Sequence, residues 1–348
     1  MVTSTFPSRA GRSLAVAAVL VVCAPWVACG GDDGLGSLGP SGADPGSVQA
    51  FVARAAHDPD GPPFASYFSL DRYRARADLP EDVAEEDLLA AVFVDGEADP
   101  TIASPFVEML RLFQFEPVVL PLSTFHASYA DESVPGDLLL ADVEPDALVA
   151  ALEDDVGPVE ESEVGDVTVY RAAQEREPGG DDPVAANVFA GTAIAVDGDA
   201  GEVVFGADGD GTEAVADDED DTARVRPGVT EVARALDQAG VYAASLLFDA
   251  ADAGGGDGPL ESAWARGAAG TALDEDGRNV AVTVLWHDAE GDAADNAGPL
   301  AEIMDESPRC TGGAEVETDG GLLVASCPYD GQWASDVLTR YPLGPLFA

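Results

Sequence analysis

The apolar positions of this chain recur with two periods, and the change from one to the other divides it. Over 229–240, VTEVARALDQAG, residues Val229, Val232, Ala233 and Leu236 fall at i, i+3, i+4 and i+7. That spacing predicts an amphipathic helix, with Gly240 placed to cap its end. Residues 47–53 predict a helix that begins the fold, with Ser47 as its N-cap. The stretch 81–93 opens with acids and then turns apolar, and 104–115 sets Phe106, Met109, Leu110 and Phe113 on one face. Both predict helices. Between these stretches, 64–74 gathers Phe64, Tyr67, Phe68 and Tyr73, an aromatic cluster better suited to packing than to a ligand platform. Region 47–135 is therefore expected to be mainly helical.

From about 136 the texture changes. DLLLADV at 137–143 predicts a strand, and Pro145 then sits near the first position of a helix, where its missing N–H is not needed. Residues 166–172 predict a strand from their β-branched and aromatic content. Two β-rich runs around Asp197-Gly198-Asp199-Ala200-Gly201 predict a hairpin over 193–208. Apolar runs follow at 241–249, 263–273 and 278–288, the last two separated by an Asp-Glu-Asp-Gly turn. A helix over 296–306 leads to Cys310, a hairpin over 314–327 turns at Asp319-Gly320, and a last helix carries Trp333, Val337 and Leu338. Strand, helix and hairpin thus occur in that order twice, near 137–206 and near 278–327. The expected class is α+β: a two-layer antiparallel sheet with helices on one side. Region 136–348 would hold two degenerate halves of an internal repeat, behind a helical N-terminal part.

The first residues follow neither period. Arg9 and Arg12, with no acid beside them, precede an unbroken apolar run from Leu14 to Val22. A basic start, a short apolar segment and small residues form a secretory signal. Pro25 and then Gly30-Gly31-Asp32-Asp33 stop the run well short of the roughly 20 apolar residues that a membrane span needs. Val27-Ala28-Cys29-Gly30 resembles the lipobox of bacterial lipoproteins, with Trp26 where the family carries an aliphatic residue. The resemblance covers only the first thirty or so residues. It implies cleavage after residue 28 and lipid on Cys29, which becomes an anchor in the membrane. Ordinary signal cleavage after Gly30, giving a freely secreted chain, is the alternative. Residues 29–46, rich in Gly, Ser and Pro, have the composition of a flexible tether. Gly34, Gly36 and Gly39 match a dinucleotide fingerprint by spacing, but the strand and helix that such a loop needs do not flank them.

Charge narrows the choice of partners. The chain has 66 acidic residues against 16 basic ones, a formal net charge of −50, and every basic residue is arginine. So acidic a surface repels nucleic acid and anionic head groups. It favours solubility and self-repulsion that salt screens. The 46% apolar share is enough for a sizeable core. With Cys23 in the leader and Cys29 at its end, Cys310 and Cys327 are the two cysteines left, and in an exported chain such a pair predicts a disulfide.

Candidate chemistry is sparse. His57, His126 and His287 are not at metal-ligand spacing, and no nucleophile elbow or phosphate loop occurs. His287, between Trp286 and Asp288, is the one place for an acid–base pair, though a polar strand end explains it more simply. Asp217-Asp218-Glu219-Asp220-Asp221 and the 197–201 turn lack the alternating ligands of a calcium loop. No catalytic residue, metal ligand or cofactor is assigned. The expectation is a lipid-anchored extracytoplasmic module that binds a protein or small molecule and does not bind nucleic acid. The alternative is a secreted hydrolase or transferase whose carboxylates are assembled from distant positions.

Overall fold

Ser47 begins the first helix as its side chain dictates: Oγ accepts the amide of Ala50 at 3.1 Å, and the Ser47 carbonyl accepts that of Phe51. This helix, α1 (Val48–Arg54), leads into strand β1 (Phe64–Ser69) and a short helix α2 (Leu70–Arg76). The computed structural model describes residues 46–54, 64–76, 79, 125–131, 136–141, 146, 148–150, 158–164, 167–172, 193–197, 202–206, 227–248, 260–307 and 310–329. The expected helices at 81–93, 104–115 and around Trp333 lie outside them, as do the leader, residues 29–45 of the tether and the acidic run at 217–221.

Strands β2 (Phe125–Asp131) and β3 (Gly136–Ala141) follow, with a helical stretch at 146 and 148–150 after them. Two hairpins come next, β4 (Val159–Val164) with β5 (Val167–Ala172), and β6 (Ala193–Asp197) with β7 (Glu202–Gly206). The amphipathic helix α3 (Val229–Gln238) then buries Val229, Val232, Ala233 and Leu236, the four residues its periodicity selects. Gly240, at φ 67°, takes the left-handed turn that ends it. Beyond it run β8 (Val241–Leu247), β9 (Arg266–Leu273), β10 (Asn279–Trp286), helix α4 (Glu290–Glu306) and the hairpin of β11 (Glu315–Asp319) with β12 (Leu322–Pro328).

Among the described residues, the twelve strands join one antiparallel sheet in the order β11-β12-β10-β9-β8-β1-β2-β3-β7-β6-β5-β4. The α+β class is as the sequence implies, and strand, helical residues and hairpin follow in that order from β3 and again from β10. A longer parallel runs beside it: α1 leads to β1, β2 and β3, with α2 between β1 and β2, as α3 leads to β8, β9 and β10. Helical residues and two hairpins follow the first trio, and α4 and one hairpin the second. The two series meet where β1 and β8 pair, with Tyr67 opposite Ala244. At the far ends, β11 exposes Glu315, Glu317 and Asp319, and β4 exposes Glu160, Glu161 and Glu163. Carboxylates along a terminal strand oppose the addition of another one. β4 escapes a hydrophobicity pattern because it is polar for this reason.

The sheet is covered more fully than a two-layer arrangement requires. Along β10, Val280, Val282, Val284 and Trp286 face the cluster that α1 and α3 build, with Val48, Phe51, Val232 and Leu236. Ala281 and Leu285 face the other way, onto Ala293, Leu300 and Met304 of α4. Helices therefore flank β10 and β12 on both faces, because the chain crosses the sheet between α3 and α4. Alternation of side chains along a strand makes this possible. The aromatic cluster at 64–74 is packing: Tyr67 and Phe68 are buried, and Phe51 meets Tyr67 edge-on at 6.0 Å. A register shift between Val241 and Ala243 returns Val241 to the α3 side. Tyr242 meets Phe68 and Tyr73 at 6.3 and 5.1 Å.

Asp237, at the end of α3, ties the two series together. Its Oδ1 accepts the Val48 amide at 2.9 Å, and its Oδ2 accepts the Gln49 amide and side-chain Nε2, each at 3.0 Å. With Ser47 it satisfies the amides of α1's first turn, where a negative charge is also favoured. Arg72 of α2 closes the pair from the other side, 2.8 Å from Oδ1, while its Nη1 donates to the Val241 carbonyl at 3.1 Å. Its guanidinium lies 5.8 Å from the centre of the Tyr67 ring. Both side chains are largely withdrawn from water, at 17% and 11% exposure, so removal of one strands the other. Asp237→Ala is expected to destabilise the fold by about 3 kcal/mol or more in urea denaturation. A double-mutant cycle with Arg72→Met should return a coupling of about 1–3 kcal/mol. Additive losses would show that the pair is not what joins the helices.

Candidate functional site

His287 is the one sequence-selected histidine whose surroundings are described. His57 lies outside the described residues, and His126 falls in β2. At the end of β10, His287 is 1% exposed, and its backbone N–H donates to the Gly321 carbonyl at 2.8 Å. Its Nδ1 lies 3.1 Å from the same oxygen, and its Nε2 lies 2.8 Å from Nδ2 of Asn296 on α4. A carbonyl only accepts, so Nδ1 carries the proton and Nε2 accepts from the amide. Gly321 is required at the turn, because a Cβ there would collide with the His287 carbonyl.

Asn296 is itself fully buried and is engaged on both ends of its amide. Oδ1 accepts the Ser262 N–H at 2.9 Å, and Nδ2 donates to the Ser262 carbonyl at 2.7 Å. The cluster joins the end of β10, α4, the β11–β12 turn and the segment before β9. Both ring nitrogens are occupied within the protein, and the ring is sealed from solvent. The arrangement suits positioning, and Asp288, its sequence neighbour, is exposed. Burial, more than any other cause, pushes the His287 pKa below its ordinary value near 6.5, against the opposing pull of the Gly321 bond, Asp292 and Asp288.

Sequence reasoning missed Asn296, although a signal for it exists. Ala293, Asn296, Leu300 and Met304 are the buried residues of α4, so an amide sits on an apolar stripe. A helix started at 296 cuts that stripe off before its meaning shows. Asp237 carried no such signal, since an acid near a helix end is unremarkable without its partner 189 residues away.

Cys310 and Cys327 are brought together, with Cα atoms 5.6 Å apart and the sulfurs bonded. The bridge ties the segment after α4 to β12, and Cys327 is wholly buried in the α4 cluster. Cys29 lies outside the described residues, as do 198–201 of the glycine-rich turn after Asp197. Among the described residues no three His, Cys, Asp or Glu side chains are grouped to hold a metal ion, and no helix is long and apolar enough to cross a membrane.

Other shifted groups have local causes. Burial, and then Tyr73, raise the Tyr242 pKa above the ordinary tyrosine value, and its hydroxyl lies 3.4 Å from Asn279 Oδ1. Asp274 is held below its usual range by the Arg278 side chain, which donates to it at 2.8 Å, and by backbone bonds from Arg278 and Asp276. That pair closes the exposed β9–β10 turn. No protein-family model, curated protein or solved structure matches the chain, so the reading of function rests on the residues themselves.

Two outcomes follow for this region. The depressed His287 pKa makes the folded state bind fewer protons than the unfolded chain below about pH 6.5. Its contribution to stability is therefore complete above that pH and declines as pH falls toward the folded value. Melting temperatures recorded between pH 7.5 and 5 should fall more steeply in the parent than in His287→Gln; parallel curves would refute this. Reduction of the Cys310–Cys327 bridge by dithiothreitol should cost about 3 kcal/mol in the chain-entropy account, read as a lower denaturation midpoint. An unchanged midpoint would count against a structural role.

Proposed function

We propose that this chain is an extracytoplasmic protein, held to the cell membrane by lipid on Cys29, that acts as a binding or envelope-interaction module. The observation that carries this reading is the run Val27-Ala28-Cys29-Gly30, behind a basic start and a short apolar segment, in its resemblance to a lipobox. The bonded pair Cys310 and Cys327 supports export, because such bridges persist in oxidising compartments. The excess of acidic over basic residues supports a partner that is neither nucleic acid nor an anionic lipid face. A non-catalytic role is supported by His287, whose two nitrogens are both taken up inside the protein. Acyl chains at Cys29 would each contribute about 0.8 kcal/mol per buried CH2, and more than one chain makes the attachment firm.

The test is the intact mass of the N-terminal peptide from the protein made in a lipoprotein-processing bacterium, beside a Cys29→Ser control. A diacylglyceryl adduct on Cys29, absent from the control, is the expected result. An unmodified terminus at Gly31 would replace the anchored protein with a freely secreted one.

A further inference from the structure

The hydrogen bonds around His287 have a direction that its place in the sheet does not require. The Gly321 carbonyl fixes the ring proton on Nδ1, so Nε2 is bare and faces an N–H of Asn296. The Asn296 amide cannot turn over to offer its oxygen instead. Ser262 holds it from both sides, donating its N–H to Oδ1 and accepting from Nδ2. A flipped amide would set oxygen against carbonyl and N–H against N–H, and would lose both bonds. A proton arriving on Nε2 therefore meets a donor, and it finds an acceptor only if Asn296 lets go of Ser262.

We propose that His287, Asn296 and Ser262 form an acid-released clasp, in which proton uptake on His287 Nε2 frees the segment 260–264 from α4 while the sheet behind it stays paired. The other end of the segment has its own attachment, since the Ala265 N–H donates to the Trp286 carbonyl at 2.8 Å and is outside the clasp. Ala265 thus acts as the hinge, with Leu260 and Trp264 packed against the α4 cluster as the side chains that shift.

The charges around the ring are mixed in sign. Asp288 follows on the same strand, and α4 brings Asp292 near, with Glu290 and Asp295 exposed on its first turns. Glu261 stands beside Ser262, Asp319 precedes the Gly320-Gly321 turn, and Arg266 lies opposite Trp286 at the start of β9. Asp292 and Asp288 favour the imidazolium, but burial opposes it more strongly, so release falls on the acid side of neutrality. The device gives a local response to acidification without global unfolding.

The experiment is amide hydrogen exchange on the full chain at about pH 7.5 and pH 5, corrected for the intrinsic pH dependence of exchange. It is run beside a titration of the His287 ring nitrogens by NMR. Protection of the Ser262 amide should drop about tenfold or more at acid pH, tracking protonation of His287, while the Ala269 and Thr271 amides of β9 keep theirs. Asn296→Asp, which offers Nε2–H an acceptor, should abolish the acid-induced loss, and His287→Gln should make Ser262 exchange insensitive to pH. Loss of protection in step with β9 would mean global unfolding and overturn the clasp. A Ser262 response that persists in His287→Gln, or that does not follow the ring titration in the parent protein, would overturn it as well.

Discussion

Asp237 is where the fold becomes one body. A single carboxylate at the end of α3 supplies acceptors to the first turn of α1, and Arg72 of α2 balances its charge. Those helices belong to opposite halves of the chain, one ahead of β1 and the other ahead of β8, and β1 and β8 are the strands that pair at the junction. The helix contact and the strand pairing therefore depend on the same placement. Arg72 adds to it by donating to the carbonyl of Val241, the first residue of β8. Mostly buried charges are tolerable only when paired and hydrogen-bonded, and here every oxygen of the carboxylate has a donor.

A second constraint acts at the C-terminal side of the sheet. β10 and β12 are apolar on both faces, because α3 covers one side and α4 the other. The crossing that brings α4 to its face passes through His287, which is buried together with Asn296 of α4. Their hydrogen bonds close among themselves, from Gly321 through His287 and Asn296 to Ser262. The disulfide fastens the return path from α4 to the sheet. Ring and bridge together hold α4 against β12 at both ends of the helix, although α4 itself contains Gly291, Gly298 and Pro299. A helix with those residues in its interior has weak intrinsic propensity and depends on its packing.

The surface follows a different logic. A chain this acidic must hold its carboxylates apart or in water, and both ends of the sheet are used for the purpose. β4 and β11 protect the edges by the charge that makes them poor strands on propensity grounds. The proposed anchored module would present that surface outward, where self-repulsion favours solubility over association.

By itself the sequence determined what local chemistry controls. The period of α3, its Gly240 end, the Ser47 cap and the hairpins at 193–208 and 314–327 all follow from neighbours a few residues apart. The α+β class and the strand, helix, hairpin order after β3 and β10 follow from the succession of such elements. The disulfide was legible because only two cysteines remain once Cys23 and Cys29 are set aside with the leader and its lipid site. Tertiary structure decided the rest. β1 reads as an aromatic cluster until its pairing with β2 and β8 makes it a strand, and β4 is too polar to announce itself. Asp237 and Arg72 look like ordinary surface charges of two helices, and His287 like a polar strand end. Each acquires its role from a partner far along the chain, and hydrogen bonding and burial at such separations leave no periodic trace in sequence.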